Sequence, residues 1–188
     1  MASFSAALLV GGQSTRMGCD KALVHDAVSG QVLWQRQLHI LEELQPEEIF
    51  WSGPARKGIP VDLQILEDTI PNVGPLAGIS ACLNVLRTDL LVVMAIDLPQ
   101  MNATFLKRLL SSCTPTCGVV MKRDIYFEPL AAVYPRTMRA LAEAHLNQGR
   151  YALQDLLGEA EHEGMIRSIQ LGEEERALFK NVNEPGDL

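Results

Sequence analysis

Leu8-Leu9-Val10-Gly11-Gly12-Gln13-Ser14-Thr15-Arg16-Met17-Gly18-Cys19-Asp20-Lys21 joins an apolar strand to a glycine-rich loop that closes on two cations. Glycines leave backbone N–H groups open to an anion and tolerate positive φ, and Arg16 and Lys21 add charge where a polyphosphate would lie. An apolar run feeding such a loop is the pattern of a buried parallel strand that delivers a ligand loop at its carboxyl end. The stretch therefore predicts an α/β domain that cradles a nucleotide.

Two familiar phosphate loops do not match. A Walker A loop places Ser or Thr after its lysine to hold magnesium, whereas Lys21 is followed by Ala22. The dinucleotide fingerprint G-x-G-x-x-G also fails, because Gly11 and Gly12 are adjacent.

Outward from the loop, strands and helices alternate. Phe4 to Val10 reads as a strand, and Val32 to Leu44 as a helix with Leu33, Trp34, Leu38, Leu41 and Leu44 on one face, stopped by Pro46. Glu48 to Ser52 and Val61 to Leu66 read as strands, and a helix opens at Pro75 or Leu76, with the proline where its missing N–H does least harm. Asp89 to Ile96 is apolar on both faces, which places it centrally in a sheet. Asn102 suits the cap of the next helix. Gly118 to Met121 and Tyr126 to Tyr134 are strands, Arg136 to Asn147 and Tyr151 to Leu157 helices, Met165 to Leu171 a strand or edge, and Phe179 to Val182 a last short segment. The fold expected is α/β and layered, with a mainly parallel mixed sheet and an antiparallel departure near one edge around Met121 and Ile125.

The 188 residues suffice for one substantial core, so residues 1–188 are expected to form a single domain. A formal net charge of -7 argues against a general nucleic-acid surface, which needs clustered Lys and Arg. The start lacks a charged region, and Ala6 to Val10 is too short for a signal or membrane segment, so no membrane and a cytoplasmic location are expected. Cys19, Cys82, Cys113 and Cys117 have no zinc-ligand spacing and read as reduced structural cysteines. His25, His39, His145 and His162 are scattered and suggest no histidine metal site.

In open sheets ligands bind beyond the carboxyl ends of the strands. Asp97 stands there, released from the sheet by Leu98-Pro99. Taken alone it is a turn or cap residue; beside a polyphosphate loop it is a candidate ligand for Mg²⁺, which is held by one or two carboxylates plus substrate phosphates. Asp68 alone is a turn residue, and Gly74 and Gly78 let a loop and helix start approach a base or ribose. Arg150 is either a phosphate ligand or a solvated surface arginine. Asn181 and Asn183 alternate, which puts two amides on one side of an extended segment or caps a helix at Asn183.

The pattern Leu9-Val10-Gly11-Gly12-x-Ser14-x-Arg16-Met17-Gly18-x-Asp20-Lys21 resembles the loop of the nucleotidyltransferases, and within them the molybdenum cofactor guanylyltransferases (the molybdopterin-guanine dinucleotide biosynthesis protein A family). The likeness continues through Pro75-Leu76-Ala77-Gly78, Asp97, Phe127 to Tyr134, Gly149 to Leu157 and Asn181-x-Asn183-x-Pro185. The family has Ala at Val10 and usually Thr at Glu184, and some relatives have a base-contacting Asn at Ser52.

The resemblance implies a three-layer, Rossmann-like fold and transfer of GMP from GTP to the terminal phosphate of molybdopterin, with release of pyrophosphate. It gives Arg16, Lys21 and Asp97 catalytic roles, with Asp97 holding Mg²⁺, and assigns the nucleotide to Leu9, Val10, Gly11, Gly12, Lys21, Ser52, Asp68, Gly78 and Asp97. Arg150, Asn181 and Asn183 fall on the acceptor side. Molybdoenzymes or their chaperones would receive the product. Related cytidylyl-transferring enzymes tend to carry Ala at Gly11 and lack the Gly-Pro-Leu-Ala-Gly run, so guanine is favoured. The rival readings are a CTP-dependent or sugar-phosphate nucleotidyltransferase, or a nucleotide-binding regulator without catalysis.

Overall fold

The computed structural model describes residues 2–11, 30, 32–55, 58–60, 63–67, 70 and 73–181. Seven strands form one sheet: β1 (Phe4–Leu9), β2 (Ile49–Ser52), β3 (Gln64–Leu66), β4 (Leu90–Ala95), β5 (Gly118–Arg123), β6 (Tyr126–Pro135) and β7 (Ile166–Gln170). The five α-helices among the described residues are α1 (Leu33–Glu42), α2 (Pro75–Val85), α3 (Ala103–Ser111), α4 (Arg139–Asn147) and α5 (Leu153–His162).

The strand order is β3-β2-β1-β4-β6-β5-β7. β1 is parallel to β2 and β4, β2 to β3, and β5 to β7, while β6 is antiparallel to both β4 and β5. Six strands thus point one way and β6 alone opposes them. The expected antiparallel departure is present but lies inside the sheet, not near its edge. The hairpin after Arg123 returns β6 between β4 and β5, where its small residues Ala131 and Ala132 are wholly buried.

Alternation along the strands builds a core on each face. Ala6 and Leu8 of β1, with Val92 and Met94 of β4, face α1 and α3; Ala7 and Leu9, with Leu91 and Val93, face α2, α4 and α5. Helices on both faces make the three layers that the sequence implies, and β4, buried along its entire length, is the central strand expected of Asp89 to Ile96. At about 25 cal/mol per Å² of apolar surface removed from water, this two-sided burial is the main force holding the layers.

Local differences from the sequence reading have local causes. α1 stops at Glu42, and Gln45 takes a left-handed φ of 59° to turn the chain before Pro46 acts. α5 opens at Leu153 instead of Tyr151, so Arg150 precedes it by three residues. The last described element is a 3-10 helix, Glu173–Phe179; Lys180 and Asn181 of the expected Phe179 to Val182 segment follow it without regular structure, and Val182 lies outside the described residues. Phe179 is buried edge-on against Phe105 of α3, with ring centroids 5.4 Å apart. The third strand begins at Gln64, after a bend at Leu63, with exposed Gln64 and Ile65 at the sheet edge; Val61 and Asp62 of the expected strand lie outside the described residues.

Candidate functional site

The carboxyl ends of β1, β2 and β4 meet at one rim. The register pairs Leu9 with Ser52 on one side and with Ala95 on the other. Beyond the ladder, Val10 and Gly11 both donate their N–H to the Ser52 carbonyl, at 2.9 and 3.2 Å, and Ile96 N–H donates to the Leu9 carbonyl at 3.0 Å. Asp97 therefore leaves β4 beside the point where the glycine loop leaves β1. Its side chain is half-buried, with Oδ1 shielded from solvent, a setting that limits competing water at the carboxylate.

The rim is held rigidly on the β2 side. Gly53 N–H donates to the Leu66 carbonyl at 2.8 Å, and Trp51 Nε1 donates to the Pro54 carbonyl at 3.0 Å. Trp34 of α1 stacks edge-on against Trp51, with centroids 5.7 Å apart. Ser52 is only 2% exposed and is seen to act through its carbonyl. Gly78 is buried on α2, whose apolar face packs on Leu9 and Phe50.

On the Asp97 side, Gln37 of α1 is fully buried and donates from Nε2 to the Leu98 carbonyl at 2.7 Å and, at a longer 3.4 Å, to the Ile96 carbonyl. The next helix then begins with Asn102, whose Oδ1 accepts from Phe105 N–H at 2.9 Å, as the sequence predicts. The turn that carries Asp97 is thus gripped before and after the carboxylate.

Beyond β4 the rim continues through β6 and α5. Gln154 in the first turn of α5 accepts from Phe127 N–H at 2.9 Å and donates to the Phe127 carbonyl at 2.9 Å, as a neighbouring strand would where β4 has already ended. The β5–β6 register shifts between Val119 and Met121, and the Tyr134 hydroxyl donates to the Pro129 carbonyl at 2.8 Å within that irregularity. Arg150 is held by Glu159, with Nη1 to Oε2 at 3.0 Å, and buried His145 meets the same oxygen at 2.9 Å. The hydrogen bonds from His145 and then Arg150 hold the Glu159 carboxyl below its usual range. Arg150 is therefore oriented by a partner in the second half of α5. Asn181 lies exposed two residues beyond Phe179, whose packing on Phe105 brings the chain back to the first turn of α3.

Of the residues singled out in the sequence, Leu9, Val10, Gly11, Ser52 and Asp97 are drawn into one hydrogen-bonded rim, Gly78 lies in the helix packed behind it, and Arg150 and Asn181 belong to flanking elements. Gly12, Arg16, Lys21, Asp68 and Asn183 lie outside the described residues. Sequence reasoning did not single out Gln37 or Gly53, and it named Tyr134 and Gln154 only as members of the stretches Phe127 to Tyr134 and Gly149 to Leu157. Gln37 had a legible signal: a polar amide at the third position after Trp34, between the apolar faces of an amphipathic helix. The others had none, because their partners are distant in the chain or are backbone atoms.

Among the described residues no three His, Cys, Asp or Glu side chains converge into a metal site. A single rim carboxylate nevertheless fits magnesium in a nucleotide complex, since that ion keeps several waters and takes most of its protein charge from one or two carboxylates. No helix among the described residues is long and apolar enough to cross a membrane.

A three-layer α/β sheet whose glycine loop and rim carboxylate spring from adjacent parallel strands places a nucleotide site at that rim, and the match to a family of NTP transferases makes the chain a nucleotidyltransferase. Residues 6–172 match the MobA-like NTP transferase domain, and the chain belongs to that family. A protein of Opitutus terrae named "Probable molybdenum cofactor guanylyltransferase" is 33% identical over 190 residues, an alignment covering 98% of this chain and 93% of that one. The crystal structure of molybdopterin-guanine dinucleotide biosynthesis protein A from Archaeoglobus fulgidus superposes with a TM-score of 0.74 at 25% identity, over 97% of this chain and 94% of that one. A nucleotidyl transferase from Methanothermobacter superposes with a TM-score of 0.76 at 15% identity, over 98% and 94%, and shares the fold.

Proposed function

We propose that this chain transfers GMP from GTP to the terminal phosphate of molybdopterin, forming the guanine dinucleotide cofactor. What supports this reading most is the hydrogen bond from Ile96 N–H to the Leu9 carbonyl, which brings the Asp97 turn against the start of the glycine loop. A phosphate-binding loop and a metal-binding carboxylate must be adjacent to act on one triphosphate.

In this reaction an oxygen of the acceptor phosphate forms a bond to the α-phosphorus of GTP. The bond from that phosphorus to the oxygen bridging to the β-phosphate breaks, and pyrophosphate leaves with the electron pair. The acceptor phosphate is already anionic near neutral pH, so alignment and charge stabilisation suffice without a strong general base. Arg16 and Lys21 offset charge on the transferring and leaving phosphates, and the backbone N–H of Gly12 orients them just beyond Gly11, whose own N–H is taken by the Ser52 carbonyl. Asp97 would hold Mg²⁺, which when bound would supply positive charge to offset that of the phosphates. Ser52, Asp68 and Gly78 border the nucleoside, and Arg150, Asn181 and Asn183 meet the acceptor. The reaction is cytoplasmic, and the product passes to molybdoenzymes or their chaperones.

The test is transfer of label from α-labelled GTP to purified molybdopterin, run beside CTP and beside sugar phosphates as acceptors. Labelled dinucleotide with GTP, reduced at least about 100-fold by Lys21→Ala or Asp97→Asn at unchanged folding, supports the reading. Transfer with CTP or to a sugar phosphate in its place, or no transfer by the wild-type protein, overturns it.

A further inference from the structure

Gln37 breaks a packing rule at a telling place. Its neighbours Leu33, Trp34, Leu38 and Leu41 belong to the apolar core between α1 and the sheet, yet Gln37 brings an amide into it with no exposure to solvent. Both groups that its Nε2 meets are carbonyls, so the nitrogen must face the Asp97 turn and the amide cannot be reversed. That orientation leaves Oε1 buried with no hydrogen-bond partner among the described residues. A leucine or methionine would fill the space without a stranded acceptor, and buried acceptors of this kind destabilise a fold. Local rules are broken in this way mainly where function requires it.

The two carbonyls belong to Ile96 and Leu98, the residues on either side of Asp97. An amide that grips both spans the carboxylate and restricts the rotation of the peptide units through which its direction is set. We propose that Gln37 is a positioning residue: from the core it holds the Asp97 turn in the orientation that a divalent cation on the nucleotide phosphates requires. This rests on the reading of Asp97 as the ligand of that cation. Gln37 itself touches neither substrate nor metal.

The experiment uses the full chain and Gln37→Met, which keeps the volume and removes both polar atoms. GTP affinity is measured by calorimetry with and without MgCl₂, together with the melting temperature and the transfer rate. The expected result is a gain in affinity on adding Mg²⁺ that is at least about fivefold smaller than in the wild type, and a kcat lowered about tenfold or more. Affinity without Mg²⁺ stays within about twofold, and the melting temperature moves by less than about 3 °C, because losing the stranded acceptor offsets losing the bond to Leu98. In an Asp97→Asn background the same substitution lowers the Mg²⁺-dependent affinity no further.

Retention of the Mg²⁺-dependent affinity and of kcat within twofold overturns the proposal. So does a loss of Mg²⁺-free affinity in step with melting temperature, or failure of both Gln37→Met and Gln37→Leu to fold, since each marks a purely structural amide. A wild-type protein whose GTP affinity ignores Mg²⁺ removes the reading of Asp97 and this inference with it, a result distinct from a wild type that responds to Mg²⁺ and a variant that responds equally.

Discussion

A Cβ placed on Gly53 would lie 2.7 Å from the backbone nitrogen of Gly11. The turn after β2 and the loop after β1 are therefore packed backbone to backbone, and Gly53 also holds φ at +130°, where side chains are strained. Gly53→Ala must either displace the start of the glycine loop or open the β2 turn. The expected outcome is a loss of about 1–3 kcal/mol in urea unfolding and a GTP affinity reduced about tenfold. Equal affinity for GTP in the two proteins would show that the loop start is free to shift.

Gln154→Leu removes the donor and acceptor that satisfy both backbone groups of Phe127. Two hydrogen bonds at a partly exposed position predict a stability loss of about 1–2 kcal/mol, since water reaches part of the vacated space. The effect should concentrate at the α5–β6 contact, and amide exchange read by mass spectrometry should quicken around Phe127 more than in β1 or β4.

Stability should also follow the charge of Glu159. His145 and then Arg150 lower its carboxyl pKa in the folded chain, so the unfolded chain binds the proton more readily. The resulting stabilisation is complete above the ordinary carboxylate range of about 4.3 and fades as pH falls through the lower folded value. In urea melts the wild type should exceed Glu159→Gln at pH 7, with the gap narrowing towards pH 3. A gap that widens on acidification would reverse the assigned direction.

Cys113 offers a chemical check on burial. Desolvation first, and the nearby Cys117 thiol second, push its thiol up to about 12, and its Sγ–H points to the Leu109 carbonyl at 3.3 Å. Alkylation depends on the thiolate. Iodoacetamide at pH 8 should leave Cys113 unmodified in the native protein and label it fully after unfolding, as peptide mass spectrometry would show.

The chain by itself determined what local periodicity and loop chemistry can encode. Continuous apolar runs such as Leu90 to Ala95 specify strands buried on both faces, Asn102 marks the start of α3, and glycines followed by cations mark an anion loop at a strand end. Asp97 was recognisable as a rim residue for the same reason: the strand before it and Leu98-Pro99 after it fix where the sheet stops. Tertiary structure alone decided how those ends lie against one another. The place of β6 between β4 and β5 depends on pairings between residues about 40 positions apart, and the seating of Gly53 against Gly11 on a close approach between two separate loops. The grip of Gln37 on the Asp97 turn, and of Gln154 on Phe127, joins a side chain to backbone carbonyls. Every residue carries such a carbonyl, so no residue letter advertises the partner, and only the folded chain reveals which one is met.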